Sequence, residues 1–101
     1  MITKSTVSKY AKSGIDTSGV LVNKPCEVVL LKATSGGAAS VWELYDSATA
    51  IEGEAVWILD SSQQNPDVNS FSHPLRFYRG IYARQVQGAG FNSQVFAAII
   101  V

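Results

Sequence analysis

The chain has 101 residues, of which 47% are hydrophobic, and its eight basic residues balance eight acidic ones. This length and composition favour one domain with an ordinary apolar core. A net charge of zero argues against a dedicated nucleic-acid binder and against a polybasic membrane anchor, because both need a clear basic excess. We therefore expect neither nucleic acid nor a membrane among the partners.

Cysteine usage and the first residues bear on the compartment. Cys26 is the only cysteine, so no intrachain disulfide can form, which fits synthesis in a reducing compartment. The opening residues contain no apolar core of a signal peptide. No stretch approaches the roughly 18–20 apolar residues of a membrane-spanning helix. The sequence predicts a soluble protein that is made in the cytoplasm.

Two regions differ in composition. Residues 1–18 are rich in Ser, Thr, Lys and Gly and carry only scattered apolar residues. They predict an N-terminal arm or an edge strand, and such an arm often orders against a partner. Residues 19–101 are predicted to form the folded domain.

Strand patterns begin at residue 19. The segments 19–23 and 26–33 are rich in Val and Leu, and the second is apolar on both faces. Strict alternation would place Val28 and Leu30 on one face, with Val29 and Leu31 on the other. Residues 35–37, Ser-Gly-Gly, predict a turn.

Each of the next two strands carries a tryptophan. In 39–47, Trp42 and Leu44 share one face of the predicted strand, opposite Val41, Glu43 and Tyr45. In 54–60, Ala55, Trp57 and Leu59 lie opposite Val56 and Ile58. Both tryptophans are predicted to fill the core.

The second half of the chain is more mixed. Residues 61–74 are polar and contain two prolines, so they predict a long loop, and loops of this length tend to be functional or mobile. Residues 75–84 predict one extended strand, 88–90 a turn, and 93–101 a last strand that is central in a sheet or tucked into an interface.

Six to eight short strands are punctuated by Gly, Pro and Asn, and no stretch has a helical period. The fold class is therefore predicted to be all-β, as a single-domain antiparallel β-sandwich. A jelly roll and a simpler sandwich fit the sequence equally well.

Residues with catalytic chemistry are few. His73 is the only histidine, no serine lies in a Gly-x-Ser-x-Gly elbow, and a loop position explains His73 better than a triad does. Cys26 begins an apolar strand and fits a buried structural thiol. Glu52 and Glu54 fit a solvated turn better than a calcium or general-acid pair. We expect no catalytic residue, no cofactor and no metal, and we do not expect an enzyme.

The segment 75–84 carries three of the eight basic residues and three aromatic residues. If it were one strand, Leu75, Phe77, Ile81 and Ala83 would face the core. The opposite face would combine arginine with tyrosine, the composition of interface hot spots. Gly80 would mark a bulge that turns Arg79 outward. The candidate interface residues are Arg76, Tyr78, Arg79, Tyr82 and Arg84.

The order of motifs in 19–101 resembles small all-β virion proteins of tailed bacteriophages. The segments that carry the resemblance are GVLVNKPCEVVLLKA, SGG, VWELYDSATA, AVWILD, HPLRFYRGIYA and FNSQVFAAIIV. Trp42, Trp57 and the cluster of arginines depart from the usual pattern.

This resemblance implies a structural protein of the virion, of the capsid decoration or cement type. Such proteins sit on the outside of the shell, often as trimers, and bridge major capsid subunits. The implied partners are the major capsid protein or other virion subunits and further copies of the chain, as a homo-trimer. The implied location is the virion.

Two other functions remain open. The motifs also fit a tail, neck or fibre component. Alternatively, a carbohydrate-binding or receptor-binding sandwich would use aromatic platforms beside polar groups of the 61–74 loop. The candidate platforms are Trp42, Tyr45, Tyr78 and Tyr82.

Overall fold

The computed structural model describes residues 7–15, 17–88 and 92–100. Within these ranges the chain forms eight β-strands and no helix, and hence no helix long and apolar enough to cross a membrane. The strands are β1 (Val7–Ile15), β2 (Gly19–Val22), β3 (Cys26–Thr34), β4 (Ser40–Asp46), β5 (Trp57–Ser61), β6 (Asp67–Phe77), β7 (Ile81–Gln87) and β8 (Gln94–Ile100).

The strands form two antiparallel sheets of four. The first sheet has the order β1-β8-β3-β6, and the second has the order β2-β7-β4-β5. Strand β1 pairs with β8, β2 with β7, β3 with β6, and β4 with β5. The first half of the chain thus pairs with the second half in reverse order, and successive pairs alternate between the two sheets. This order is that of a jelly roll, so the prediction of an all-β antiparallel sandwich is confirmed.

The core lies between the inward faces of the two sheets. The second sheet contributes Trp42, Leu44 and Leu59, each with no exposed surface. The first sheet contributes Val28 and Val95, which are equally buried. Alternation along β4 and β5 predicted the inward side chains of the second sheet correctly, because neither strand has a register shift where the two pair.

Strand β3 departs from the predicted alternation. Its pairings with β6 and with β8 both shift register between Val28 and Leu30. Because a bulge adds one residue to a strand, Val28 and Leu31 both point into the core, whereas Leu30 is only half-buried. The prediction that Val28 and Leu30 share a face is wrong for this reason.

The prediction of a long loop over 61–74 is also wrong. Only residues 62–66 connect β5 to β6, and β6 begins at Asp67. Pro74 is compatible with this strand because β6 is an edge strand, where one side needs no N–H donors. The pairs Val28–Leu75 and Leu30–Ser70 leave residues 71–74 opposite the single residue Val29, so the strand is irregular there.

The segment 75–84 is not one strand. It contains the end of β6, a turn at residues 78–80 and the start of β7, which belong to different sheets. Phe77, Ile81 and Ala83 are fully buried, as parity predicted. Phe77 enters the core from the first sheet, and Ile81 and Ala83 enter it from the second sheet, because the inward faces of the two sheets pack against each other.

The connections gather at the two ends of the sandwich. Residues 23–25, 47–56 and 78–80 lie at one end, here called the Arg79 end. Residues 35–39, 62–66, 88 and 92–93 lie at the other, called the serine end after three buried serines described below. Antiparallel pairing fixes this division, since Ser40 pairs with Ser61 at one end and Asp46 with Ile81 at the other.

The first and last described strands are neighbours. Within residues 1–18, for which an arm or an edge strand was predicted, 7–15 form β1 at the edge of the first sheet. Strand β8 lies between β1 and β3, so the last strand is central, as expected. Residues 1–6 and 16 of the predicted arm, 89–90 of the predicted turn and 101 of the predicted last strand lie outside the described residues.

Candidate interaction surfaces

The five candidate interface residues occupy three places. Arg76 lies in β6 on the outside of the first sheet, where it pairs with Glu27 of β3. Tyr78 and Arg79 lie in the turn at the Arg79 end. Tyr82 and Arg84 lie in β7 on the outside of the second sheet. The prediction of a single arginine and tyrosine face is therefore wrong, because the chain changes sheets at residues 78–80.

Two of these residues do contact each other. The Arg76 guanidinium lies 5.5 Å from the centre of the Tyr78 ring, a cation–π geometry. Arg76 Nη1 also lies 3.8 Å from Glu27 Oε2, with both side chains about half exposed. Tyr78 itself is 71% exposed. Arg76 and Tyr78 together form a solvent-facing surface beside the Arg79 end, which we call the Tyr78 patch.

The Arg79 end is held by backbone and ionic contacts. The Arg79 N–H donates to Asp46 Oδ1 at 2.8 Å, and the Arg79 guanidinium pairs with Glu52. The Ser47 N–H donates to the Gly80 carbonyl at 3.2 Å. The prediction that Gly80 marks a bulge within one strand is wrong, because Gly80 lies in the turn between β6 and β7. The Arg79 side chain is exposed, as that prediction required. These contacts tie the long connection 47–56 to the turn that carries Tyr78.

The outer face of the second sheet presents two cross-strand rows. The first row is Val20–Tyr82–Tyr45, and the second is Arg84–Glu43–Ile58. Directly paired residues point to the same side of a sheet, so these six side chains share one surface. Ile58 is 56% exposed, and Val20 is 36% exposed. We call these six residues the outer face of the second sheet.

A hydrogen-bonded cluster lies at the centre of this face. Tyr45 Oη donates to Glu43 Oε1 at 2.6 Å, and Arg84 Nη1 approaches the same oxygen at 3.4 Å. The hydrogen bond to Glu43 raises the pKa of the Tyr45 phenol above its ordinary value, and burial acts in the same direction. The Tyr45 phenol stays neutral at physiological pH, and the charge of Glu43 is balanced by that of Arg84. The centre of the face is therefore polar without a net charge, and the aliphatic side chains of Val20 and Ile58 lie beside it.

The structure removes two of the four predicted carbohydrate platforms. Trp42 has no exposed surface, and Tyr45 is only 6% exposed. Tyr78 and Tyr82 remain accessible, but they lie in different places. A shallow concavity of about 320 Å³ at the serine end is lined by polar and small residues, none of them aromatic: Gly37, Ala38, Ser62, Gln63 and Gln64. An aromatic stacking site for a sugar is therefore not assembled at this concavity.

The residues with catalytic chemistry stand apart from one another. His73 is exposed in the irregular part of β6. Cys26 is buried, and burial raises the pKa of its thiol to about 11, which suppresses nucleophilic reactivity at neutral pH. Glu52 is exposed and pairs with Arg79. Among the described residues, no three His, Cys, Asp or Glu side chains lie close enough to hold a metal ion.

Sequence reasoning missed part of the exposed apolar surface. Val20 and Ile58 are exposed, and they were classed only as strand residues. The available signal was the pattern in 54–60, where apolar residues fall on both strand faces although β5 has a neighbour on one side only. Apolar residues on the outward face of an edge strand indicate a surface that another molecule can cover.

Comparisons of the chain with protein-family models, with curated protein sequences and with solved structures found no match.

Proposed function

We propose that this chain is a structural protein of a bacteriophage virion, of the capsid decoration or cement type, which binds the shell as a homo-trimer. The observation that carries the proposal is the jelly-roll order combined with an outer sheet face of aliphatic and aromatic side chains. A structural protein needs such a face, because its work is to form contacts.

The fold is the first support. Jelly rolls recur in viral capsid and lectin domains, although a fold alone does not define a function. The segments that resemble phage virion proteins coincide with the strands: VWELYD corresponds to β4, and SQVFAAII to β8. The motifs that carry the resemblance thus lie on strands of the sandwich.

The surface is the second support. The outer face of the second sheet carries Tyr82 and Ile58 around the neutralised Glu43–Arg84 pair. Aromatic and aliphatic side chains with few free charges are typical of interface centres. A trimer would present this face three times, and linked weak contacts multiply into avidity.

The Arg79 end offers a second contact region. Tyr78 is backed by Arg76 and is the most exposed of the large apolar side chains among the described residues. An end surface and a sheet face at an angle to each other suit a protein that touches a neighbouring copy with one and the shell with the other. We assign the outer face to copy–copy contact and the Tyr78 patch to the shell.

The first experiment measures native mass by size exclusion with light scattering. A trimer is expected for the wild-type chain, and a Tyr82→Ser/Ile58→Ser variant is expected to become monomeric. The matched control, Tyr78→Ser, should remain trimeric. A monomeric wild-type protein would remove the oligomeric part of the proposal.

The second experiment mixes the protein with capsid shells assembled from a major capsid protein encoded in the same genome. Co-sedimentation, and a shell that resists heat better when the protein is bound, would support a cement role. Tyr78→Ser should weaken the co-sedimentation while leaving the trimer intact. Binding to purified tails or fibres instead of shells would transfer the proposal to a tail, neck or fibre component.

A further inference from the structure

The inner surface at the serine end carries three buried serine hydroxyl groups, whereas the middle of the core is apolar. Ser40 is 0%, Ser61 2% and Ser93 1% exposed. Ser40 and Ser61 are directly paired across β4 and β5 on the inward face, and Ser93 reaches the same place from just before β8. Three buried hydroxyl groups in one corner of a small core need hydrogen-bond partners, because unpaired buried polar groups are costly.

Two of the serines are bonded to each other and to a tryptophan. Trp42 Nε1 donates to Ser93 Oγ at 2.7 Å, and Ser93 Oγ is in hydrogen-bond contact with Ser40 Oγ. A serine hydroxyl offers one donor and two acceptor sites. The Ser40–Ser93 pair therefore keeps unused capacity after these two contacts.

Ser61 Oγ has no hydrogen-bond partner in the protein, although it is buried. On the other side of β4, Gln85 Nε2 is buried and likewise lacks a partner. Gln85 pairs with Trp42, the residue two positions after Ser40. Both atoms belong to strands that flank β4, which carries Ser40; among the described residues, Trp57 Nε1 of β5 is a third buried atom without a partner.

We propose that the serine end binds one or more ordered water molecules inside the sandwich, hydrogen-bonded to Ser61 Oγ and to the Ser40–Ser93 pair. Buried waters in folded proteins commonly make about three hydrogen bonds to polar groups that would otherwise lack partners. The hydroxyl groups of Ser40, Ser61 and Ser93 provide that number. Gln85 Nε2 provides a donor for a further water on the far side of β4.

Two surface connections lie over this site. The Gln63 N–H donates to the Gly37 carbonyl at 2.9 Å, which joins the 35–39 connection to the 62–66 connection. The same residues line the shallow concavity at the serine end. Opening of this single backbone contact would give water a short path between the core and solvent, so the bound water is expected to exchange without global unfolding.

The test compares the crystal structures and the thermal melts of the wild-type protein and the Ser61→Ala variant. The wild-type structure should contain ordered water within hydrogen-bond distance of Ser61 Oγ, and the variant should have lost it. The variant should also melt a few degrees lower, because the water loses a partner. The matched control, Ser70→Ala at an exposed position of β6, should melt like the wild type.

The opposite outcome overturns the proposal. If no water is found beside Ser61 in the wild-type crystal, the proposal fails. It also fails if Ser61→Ala melts at the wild-type temperature or higher, because removing an unpartnered buried hydroxyl is neutral or stabilising, whereas removing a hydrated one is not. A Gln85→Leu variant repeats the comparison for the far side of β4.

Discussion

The two ends of the sandwich are held together in different ways. At the Arg79 end, contacts to backbone groups and a surface ion pair join the connections, as in the contact of the Asp46 carboxylate with the Arg79 N–H. At the serine end, the hydrogen bonds lie inside the core, between the side chains of Trp42, Ser40 and Ser93. Each end also has one glycine that a larger residue cannot replace without displacing a neighbour.

This difference suggests that one end of the sandwich serves binding and the other serves stability. An end closed by backbone contacts can carry exposed and variable side chains such as Tyr78, because few of them hold the structure. An end closed by buried polar side chains cannot change them freely, since each is a partner of another. We therefore expect function at the Arg79 end and stability at the serine end, and four measurements test this division.

The largest effect is expected from the two tryptophans. Trp42→Ala should lower the free energy of unfolding by about 3–5 kcal/mol, because it leaves a cavity and removes one of the two hydrogen-bond partners of Ser93. Trp57 is only half-buried and packs edge-on against Phe71 with ring centres 5.0 Å apart, so Trp57→Ala should cost less, about 2 kcal/mol. Urea unfolding of both variants measures the difference, and equal losses would contradict it.

The two glycines come next. Gly80 has a φ of +154°, and a Cβ there would lie 2.4 Å from the Val22 carbonyl oxygen, so Gly80→Ala should cost about 2–4 kcal/mol. Gly88 has a φ of +104°, and a Cβ there would lie 2.7 Å from the Ser40 Cβ. Removing the Ser40 side chain relieves the two shortest contacts and leaves the Ser40 Cα at 2.9 Å, whereas no side-chain change relieves the contact with the Val22 carbonyl.

The contrast between the glycines can be measured with one double variant. Gly88→Ala combined with Ser40→Gly should lose less stability than the sum of the two single changes, because the two shortest contacts, with Ser40 Cβ and Oγ, are gone. Gly80→Ala combined with Val22→Ala should show no such recovery. If the Val22→Ala change restored stability to Gly80→Ala, the contact with the Val22 carbonyl would not be the cause of the loss, and the Arg79 end would not be fixed by its backbone.

A smaller effect concerns alkaline pH at the Arg79 end. Burial raises the pKa of the Cys26 thiol from 9.0 to about 11 in the folded chain. A raised pKa contributes stability that is fully present below pH 9 and is lost as the pH rises through about 11, because the unfolded chain releases the proton first. The loss should be at most about 2–3 kcal/mol for a shift of this size.

Unfolding by urea between pH 8 and 11 tests this prediction on the wild-type protein and Cys26→Ala. The variant is less stable throughout, but its stability should fall less steeply with pH. All other ionisable groups are common to both proteins, so the difference between the two curves reports on Cys26. Parallel curves would show that the thiol is solvated in the folded chain.

The smallest effect is expected from the surface ion pair. Both side chains of the Arg79–Glu52 pair are about half exposed or more, so Arg79→Ala should lower the free energy of unfolding by less than about 1 kcal/mol. The N–H contact to Asp46 survives the substitution. A matched Asp46→Ala change removes that contact and should cost more; the reverse order would mean that the ion pair with Glu52, and not the Asp46 contact to the backbone, holds this end.

Regular strands were predictable and irregular ones were not. Trp42 and Leu44 were assigned to the core from alternation alone, and β4 is regular where it pairs with β5. In β3 the bulge after Val28 reverses the parity, and no residue there signals it. In β6, Ser, Asn and Pro predicted a loop, but an edge strand tolerates these residues because only one side must pair.

The sequence predicted which residues of the candidate surface are exposed, but not where they lie relative to one another. Composition selected Arg76, Tyr78 and Arg84 as outward-facing, and all three are exposed. Their separation depends on the turn at 78–80, which moves the chain from one sheet to the other. A tight turn between strands of different sheets has the same local signals as a bulge within one strand, so the tertiary arrangement was needed to tell them apart.

The central position of β8 has a consequence for synthesis. Strand β8 separates β1 from β3, and Val7 pairs with Ile100, so the first sheet closes only through contacts between distant parts of the chain. Contacts of such sequence separation make folding slow, on a scale of about milliseconds to seconds for all-β domains. While the ribosome is still making β4 to β7, β1 and β3 have no strand between them and their edges are exposed to other nascent chains. We therefore expect the chain to aggregate most readily before β8 has emerged and paired with β1 and β3.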